Sequence, residues 1–171
     1  MKPLPFPFPL NIGTDIVHLP RIAALLTRRG HYLDRFTRRI LHDEEQRDFH
    51  SRFKESFANK LHTAASPRSP PITAEMTRWL AGRFAAKEAA RKAAPGGAAS
   101  IGWKDVVVRI QEEADESART DIPRSHTKDG VSRRPEIVYL GNEADGSASR
   151  IGRLSISHDG EYVVATVLAA G

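Results

Sequence analysis

The longest uninterrupted helical signal in the chain runs from Thr73 to a stop at Pro95-Gly96-Gly97. Thr73 suits an N-cap, Met76, Trp79, Leu80 and Phe84 recur as an apolar stripe, and proline with two glycines ends the element. Strand signals lie in separate blocks on either side of this helix. Leu10 to Val17, with Ile12, Ile16 and Val17 around Gly13-Thr14, reads as a short strand that delivers Asp15 to its end. Val106 to Ile110 and Ile137 to Leu140 are dense in β-branched residues. Leu154 to Ser157 and Tyr162 to Leu168 flank the turn signal His158-Asp159-Gly160-Glu161 and predict a terminal β-hairpin. Helices and strands segregated in this way predict an α+β fold with a mainly antiparallel sheet.

Two short amphipathic helices are expected before the long one. Ile22, Leu25 and Leu26 recur after Pro20, and Leu33, Phe36, Ile40 and Leu41 recur after Gly30. Their polar faces carry Arg21, Arg28, Arg29, Arg35, Arg38 and Arg39. Asp43, Glu44 and Glu45 read as the acidic first turn of a further helix reaching about Phe57. The 171 residues fit one domain, 1–171, with surface insertions near 62–72 and 112–134, where proline, serine and charge replace periodicity.

The chain has no cysteine, so disulfides, thiolate nucleophiles and zinc-thiolate sites are excluded. Any metal is therefore expected on oxygen or imidazole, and the six histidines other than His158 show no metal-ligand spacing with one another, so no zinc site is expected. A net charge of +5 points to an anionic partner: nucleic acid, an acidic protein or a phosphorylated cofactor. No apolar stretch is long enough to cross a bilayer, and residues 1–10 lack a secretory layout, so a soluble intracellular protein is expected.

Three places could carry chemistry. On the long helix Glu88 lies among Arg83, Lys87, Arg91 and Lys92, which is either an anion site or an i,i+4 ion-pair lattice on a solvated face. Asp15 in an apolar strand is either a cap for the helix after Pro20 or a ligand to a metal, and with Glu88 it would supply two hard oxygens for magnesium. His158 is either an exposed turn residue or a functional group.

Ile12-Gly13-Thr14-Asp15-Ile16-Val17 with Arg21, the block Ala81-Gly82-Arg83-Phe84-Ala85-Ala86-Lys87-Glu88-Ala89, and Ser155-Ile156-Ser157-His158 together resemble the holo-acyl-carrier-protein synthases, a 4'-phosphopantetheinyl transferase family. Asp34 to Leu41 resembles that family's basic carrier-docking helix. The resemblance implies a small antiparallel sheet packed on a long helix, in a homotrimer with sites between protomers. It implies transfer of 4'-phosphopantetheine from coenzyme A to a serine of apo-acyl carrier protein, with magnesium as cofactor. Asp15 and Glu88 would hold the metal. Glu88, Lys92 and Asp15 would be the catalytic residues, and Arg83, Lys87, Lys92 and His158 would join Glu88 in binding the coenzyme, His158 across a subunit boundary. Arg21, Arg35, Phe36 and Arg39 would engage the acidic carrier.

The chain departs from the family after Lys92, where Ala93-Ala94-Pro95-Gly96-Gly97 replaces the usual Ala-Phe-Gly-Thr-Gly, and at Arg91, where smaller residues are common. The insertions resemble eukaryotic organellar members and imply a mitochondrial location, with the cytoplasm as alternative. Neither nucleic acid nor a membrane is an expected partner. Two competing functions remain open at this level: a basic nucleic-acid-binding protein built on the arginine-rich helices, and a metal-dependent phosphoesterase using Asp15, Glu88 and His158.

Overall fold

The computed structural model describes residues 6–28, 31–58, 71–110, 134–141 and 146–171. Alternation of small or apolar residues builds the five strands of one antiparallel sheet: β1 (Leu10–His18), β2 (Val106–Ile110), β3 (Pro135–Tyr139), β4 (Arg150–Asp159) and β5 (Tyr162–Ala170), in the order β1-β5-β4-β3-β2. The N-terminal strand is thus zipped to the C-terminal one, with Gly13 opposite Val167, Asp15 opposite Ala165 and Val17 opposite Val163. The helices are α1 (Leu19–Leu26), α2 (Tyr32–Ile40), α3 (Asp43–Arg52), α4 (Lys54–Ala58) and α5 (Ala74–Lys92).

The long α5 is the spine of the core. Thr73 caps it, its hydroxyl accepting from the Met76 N–H at 3.0 Å. Its Met76, Leu80, Ala81, Ala85, Ala86, Ala89 and Ala90 are buried beside Val163, Ala165, Val167 and Ala169 of β5. The alanines let sheet and helix approach closely, and Gly13 sets the limit. A Cβ at Gly13 would lie 2.0 Å from the Ala89 carbonyl oxygen and 2.7 Å from the Ala93 nitrogen. Both are backbone atoms, so no rotamer change relieves the clash. Gly13→Ala is expected to cost at least the ~1–3 kcal/mol of core overpacking. A melting temperature within about 2 °C of wild type, at the usual ~2–4 °C per kcal/mol for this size, would contradict that packing.

Tyr139 ties β3 to the same helix, its hydroxyl donating to the Ala90 carbonyl at 2.9 Å. Burial pushes that phenol up to about 12, with Arg150 opposing.

The expected elements are present with three differences. The helix begun by Asp43-Glu44-Glu45 breaks at Phe53 (φ −107°, ψ 21°) into α3 and α4. Asp15 does not end its strand, because pairing with β5 carries β1 on to His18. His158 lies in β4 rather than in the turn, which is made at Gly160 (φ 51°). The two expected insertions fall almost wholly outside the described residues. No described helix is long and apolar enough to cross a membrane.

Candidate active site

Helical spacing divides the charged residues of α5 into two groups. Arg83 and Lys87, four apart, lie on the face that meets α3, whereas Glu88 and Lys92, also four apart, lie on the next face, toward β1. The close approach at Gly13 brings Asp15 to Lys92, whose ammonium donates to Asp15 Oδ1 at 2.9 Å and to the Thr14 carbonyl at 3.0 Å. One turn earlier on this face stands Glu88, which accepts from Arg91 Nη1 on Oε1 at 2.8 Å. No hydrogen bond to Glu88 Oε2 is made among the described residues. Asp15, through Lys92, and Glu88 are thus tied to positions one turn apart on α5, and both are only partly exposed, their side chains at 17% and 20%.

Asp15 is not a helix cap: α1 begins after His18, which makes no side-chain cap bond, and Asp15 is committed to Lys92. The donor set at this end of α5 suits a hard divalent cation. Among the described residues no third acid or histidine completes an all-protein metal cage. Magnesium, however, keeps waters and substrate phosphates and is often held by one or two carboxylates.

Lys87 lies elsewhere. It is fully buried, ion-paired with Glu45 Oε2, and donates to the carbonyls of Trp103 at 3.0 Å and Val106 at 2.6 Å. Its three donors are thus all used inside the protein. Burial pushes the Lys87 ammonium below its ordinary range, and the Glu45 carboxylate opposes that shift. Arg83 approaches Glu45 Oε1 at 3.7 Å and Asp48 at 3.6 Å and stacks 4.4 Å over Trp79. Glu45 also accepts from the His42 and Val108 backbone N–H groups at 2.9 and 3.2 Å. The α5 cations are therefore neither a solvated lattice nor a single anion site. Sequence reasoning passed over Glu45 as an ordinary first-turn acid. The available signal was Arg83 and Lys87 at i, i+4, two like charges on one helix face that call for a carboxylate from another element.

Phe84, one turn before Glu88, opens a different feature. It stacks on Phe36 at 5.9 Å and lies 5.0 Å from Trp103. With Leu25, Tyr32, Arg35, Arg39 and Ile40 these residues line a cavity of about 400 Å³, floored by Phe36 and rimmed by the two exposed arginines. Arg21 is exposed on α1. His158 stands near Arg78, which reinforces the effect of partial burial in holding its imidazole below the usual range. Among the described residues no hydrogen bond or ion pair joins His158 to Asp15 or Glu88.

A family model for the 4'-phosphopantetheinyl transferase superfamily matches residues 11–167. The chain is 58% identical over 173 residues, covering 100% of both sequences, to a protein of Aspergillus fumigatus named 4'-phosphopantetheinyl transferase B, mitochondrial. It is 34% identical to the holo-[acyl-carrier-protein] synthase of Gloeobacter violaceus, over 94% of this chain and 92% of that one. Among solved structures, a holo-(acyl-carrier-protein) synthase of Bacillus anthracis in complex with CoA (3',5'-ADP) is similar at a TM-score of 0.56 and 26% identity, covering 94% of this chain and 96% of that chain. The holo-[acyl-carrier-protein] synthase of Neisseria meningitidis is similar at 0.54 and 27% identity, covering 94% and 98%.

Proposed function

The chain belongs to the 4'-phosphopantetheinyl transferase superfamily, and we propose that it transfers 4'-phosphopantetheine from coenzyme A to a serine of an apo-acyl carrier protein. The observation that carries this reading is the pairing of Asp15 with Lys92, one helical turn beyond Glu88, where the Gly13 contact presses β1 onto the helix. In the reaction the serine oxygen bonds to the phosphorus next to pantetheine. The bond from that phosphorus to adenosine 3',5'-bisphosphate breaks, and the serine proton leaves to a base.

Asp15 and Glu88 would hold magnesium, which when bound offsets negative charge on the diphosphate. Lys92, half exposed, would turn its ammonium from Asp15 to the phosphates, a cation placed where charge develops. Glu88 is the candidate acceptor for the serine proton, directly or through a metal-held water. Arg83 and Lys87 pair with Glu45, and in this reading they hold α5 against α3 instead of binding the coenzyme.

The cavity floored by Phe36 would receive the carrier, with Arg35 and Arg39 meeting its acidic surface and Arg21 extending the basic rim. Neutralising the Arg35/Arg39 pair is expected to raise KM for the carrier about tenfold or more and to leave KM for coenzyme A nearly unchanged, with the difference shrinking at high salt. Equal rises in both constants in steady-state assays would remove docking from this surface.

The outer sheet face supports a homotrimer. Ile12 and Leu168 oppose each other there at 69% and 40% exposure, beside Ile16 at 63%, an apolar strip of the kind that marks interfaces. In this reading a neighbouring protomer would supply His158 to the site. The name of the Aspergillus relative supports a mitochondrial location.

Intact-mass spectrometry of an apo-carrier incubated with the protein, coenzyme A and magnesium tests the reaction. A gain of one phosphopantetheine is expected. Cleavage of coenzyme A with an unchanged carrier would identify a phosphoesterase instead.

A further inference from the structure

Arg91 is anchored on three sides by its own chain. Its Nε donates to the Ile101 carbonyl at 3.0 Å, its Nη2 to the Ala98 carbonyl at 2.7 Å, and its guanidinium lies 4.8 Å over the Trp103 ring. The carbonyls come from the loop after α5, which turns at Gly97 (φ 74°). The remaining arm, Nη1, donates to Glu88 Oε1 at 2.8 Å. A guanidinium is planar, so two carbonyls and a ring face fix the direction of the third arm. Lys92, the i+4 neighbour that would ordinarily pair with Glu88, is drawn away to Asp15. Glu88 is therefore held by a rigid cation on one oxygen, with the second oxygen free of hydrogen bonds among the described residues.

We propose that Arg91 is a positioning residue for Glu88, holding Oε1 so that Oε2 stays free to ligate the divalent cation. The inference rests on the reading of Asp15 and Glu88 as metal-holding acids. Two effects of Arg91 oppose one another. Its charge beside the carboxylate repels a second cation, whereas its grip on Oε1 orders the ligand. Removing it tightens metal binding if charge dominates and weakens it if orientation dominates. Groups that orient metal ligands characteristically change metal affinity or activity by ~10–100-fold, and orientation is the effect the three-point anchor is built to deliver.

The test is a manganese titration followed by electron paramagnetic resonance, on full-length protein with coenzyme A and no carrier. Arg91→Ala and Arg91→Lys are each expected to weaken Mn2+ binding by about 10–100-fold. Lysine keeps the charge but cannot span both carbonyls and Glu88, so it should fail to rescue. In turnover assays kcat should fall with KM for the carrier unchanged. If Arg91→Ala does not fold, the lysine variant carries the test. Unchanged or tighter Mn2+ binding in a folded Arg91 variant, with binding lost in Glu88→Ala, overturns the positioning role alone. Unchanged binding in Glu88→Ala as well overturns the metal reading on which it rests.

Discussion

Alanine at Asp15 or at Glu88 is expected to lower phosphopantetheine transfer by about 10³-fold or more while leaving the melting temperature within a few degrees of wild type. The activity loss follows from the chemistry. Removing a single group that stabilises charge in the transition state costs ~10²–10³-fold, and losing a metal ligand also removes the ion's own contribution. The small effect on folding follows from the surroundings. Without Asp15, the Lys92 ammonium is already 45% exposed and returns to water. Without Glu88, Arg91 keeps its carbonyl partners at Ala98 and Ile101. Partly exposed ion pairs of this kind contribute ~0–1 kcal/mol. Steady-state transfer assays beside thermal melts check both halves. Wild-type-like turnover by both variants would leave the site without its acids.

The opposite pattern is expected at Glu45 and Lys87. Lys87 has no exposed surface and Glu45 only 2%, so removing either partner strands a charge in the interior. Lys87→Ala should cost ~3–5 kcal/mol, which at ~2–4 °C per kcal/mol lowers the melting temperature by about 6–20 °C. The double variant Lys87→Met/Glu45→Met should recover part of this loss, since neither charge is then orphaned. Recovery should be incomplete, because the His42 and Val108 N–H groups lose their acceptor. Any folded single variant should keep most of its turnover, in contrast to Asp15 and Glu88. A Lys87→Ala protein with unchanged stability and lost transfer would move Lys87 back among the coenzyme-binding groups.

The contrast between these pairs also marks where sequence reading stops. The long helix, the hairpin and the strand at Val106 were legible because cap, stop and periodicity lie within each segment. Asp15 was legible as an unusual residue but not as a mid-strand one. Its partner Lys92 is 77 positions away, and the length of β1 is set by pairing with the C-terminal strand. The separate fates of Glu88 and Lys87 were not legible, since adjacent positions on a helix look alike until the partner elements are known. Glu45 was hidden by a local rule: an acid in a first turn is ordinary, and only the approach of α5 and β2 makes this one the centre of a buried network. The cavity behind Phe36 needed α2, α5 and the Trp103 loop together, although Phe36, Arg35 and Arg39 could each be singled out beforehand.

All of this depends on Asp15 and Glu88 sharing one divalent ion. Crystals grown with coenzyme A and manganese, measured at the manganese absorption edge, test it most directly. The account predicts one anomalous peak per site in contact with both carboxylates and the diphosphate. A peak that touches neither acid, with coenzyme A bound, would contradict it.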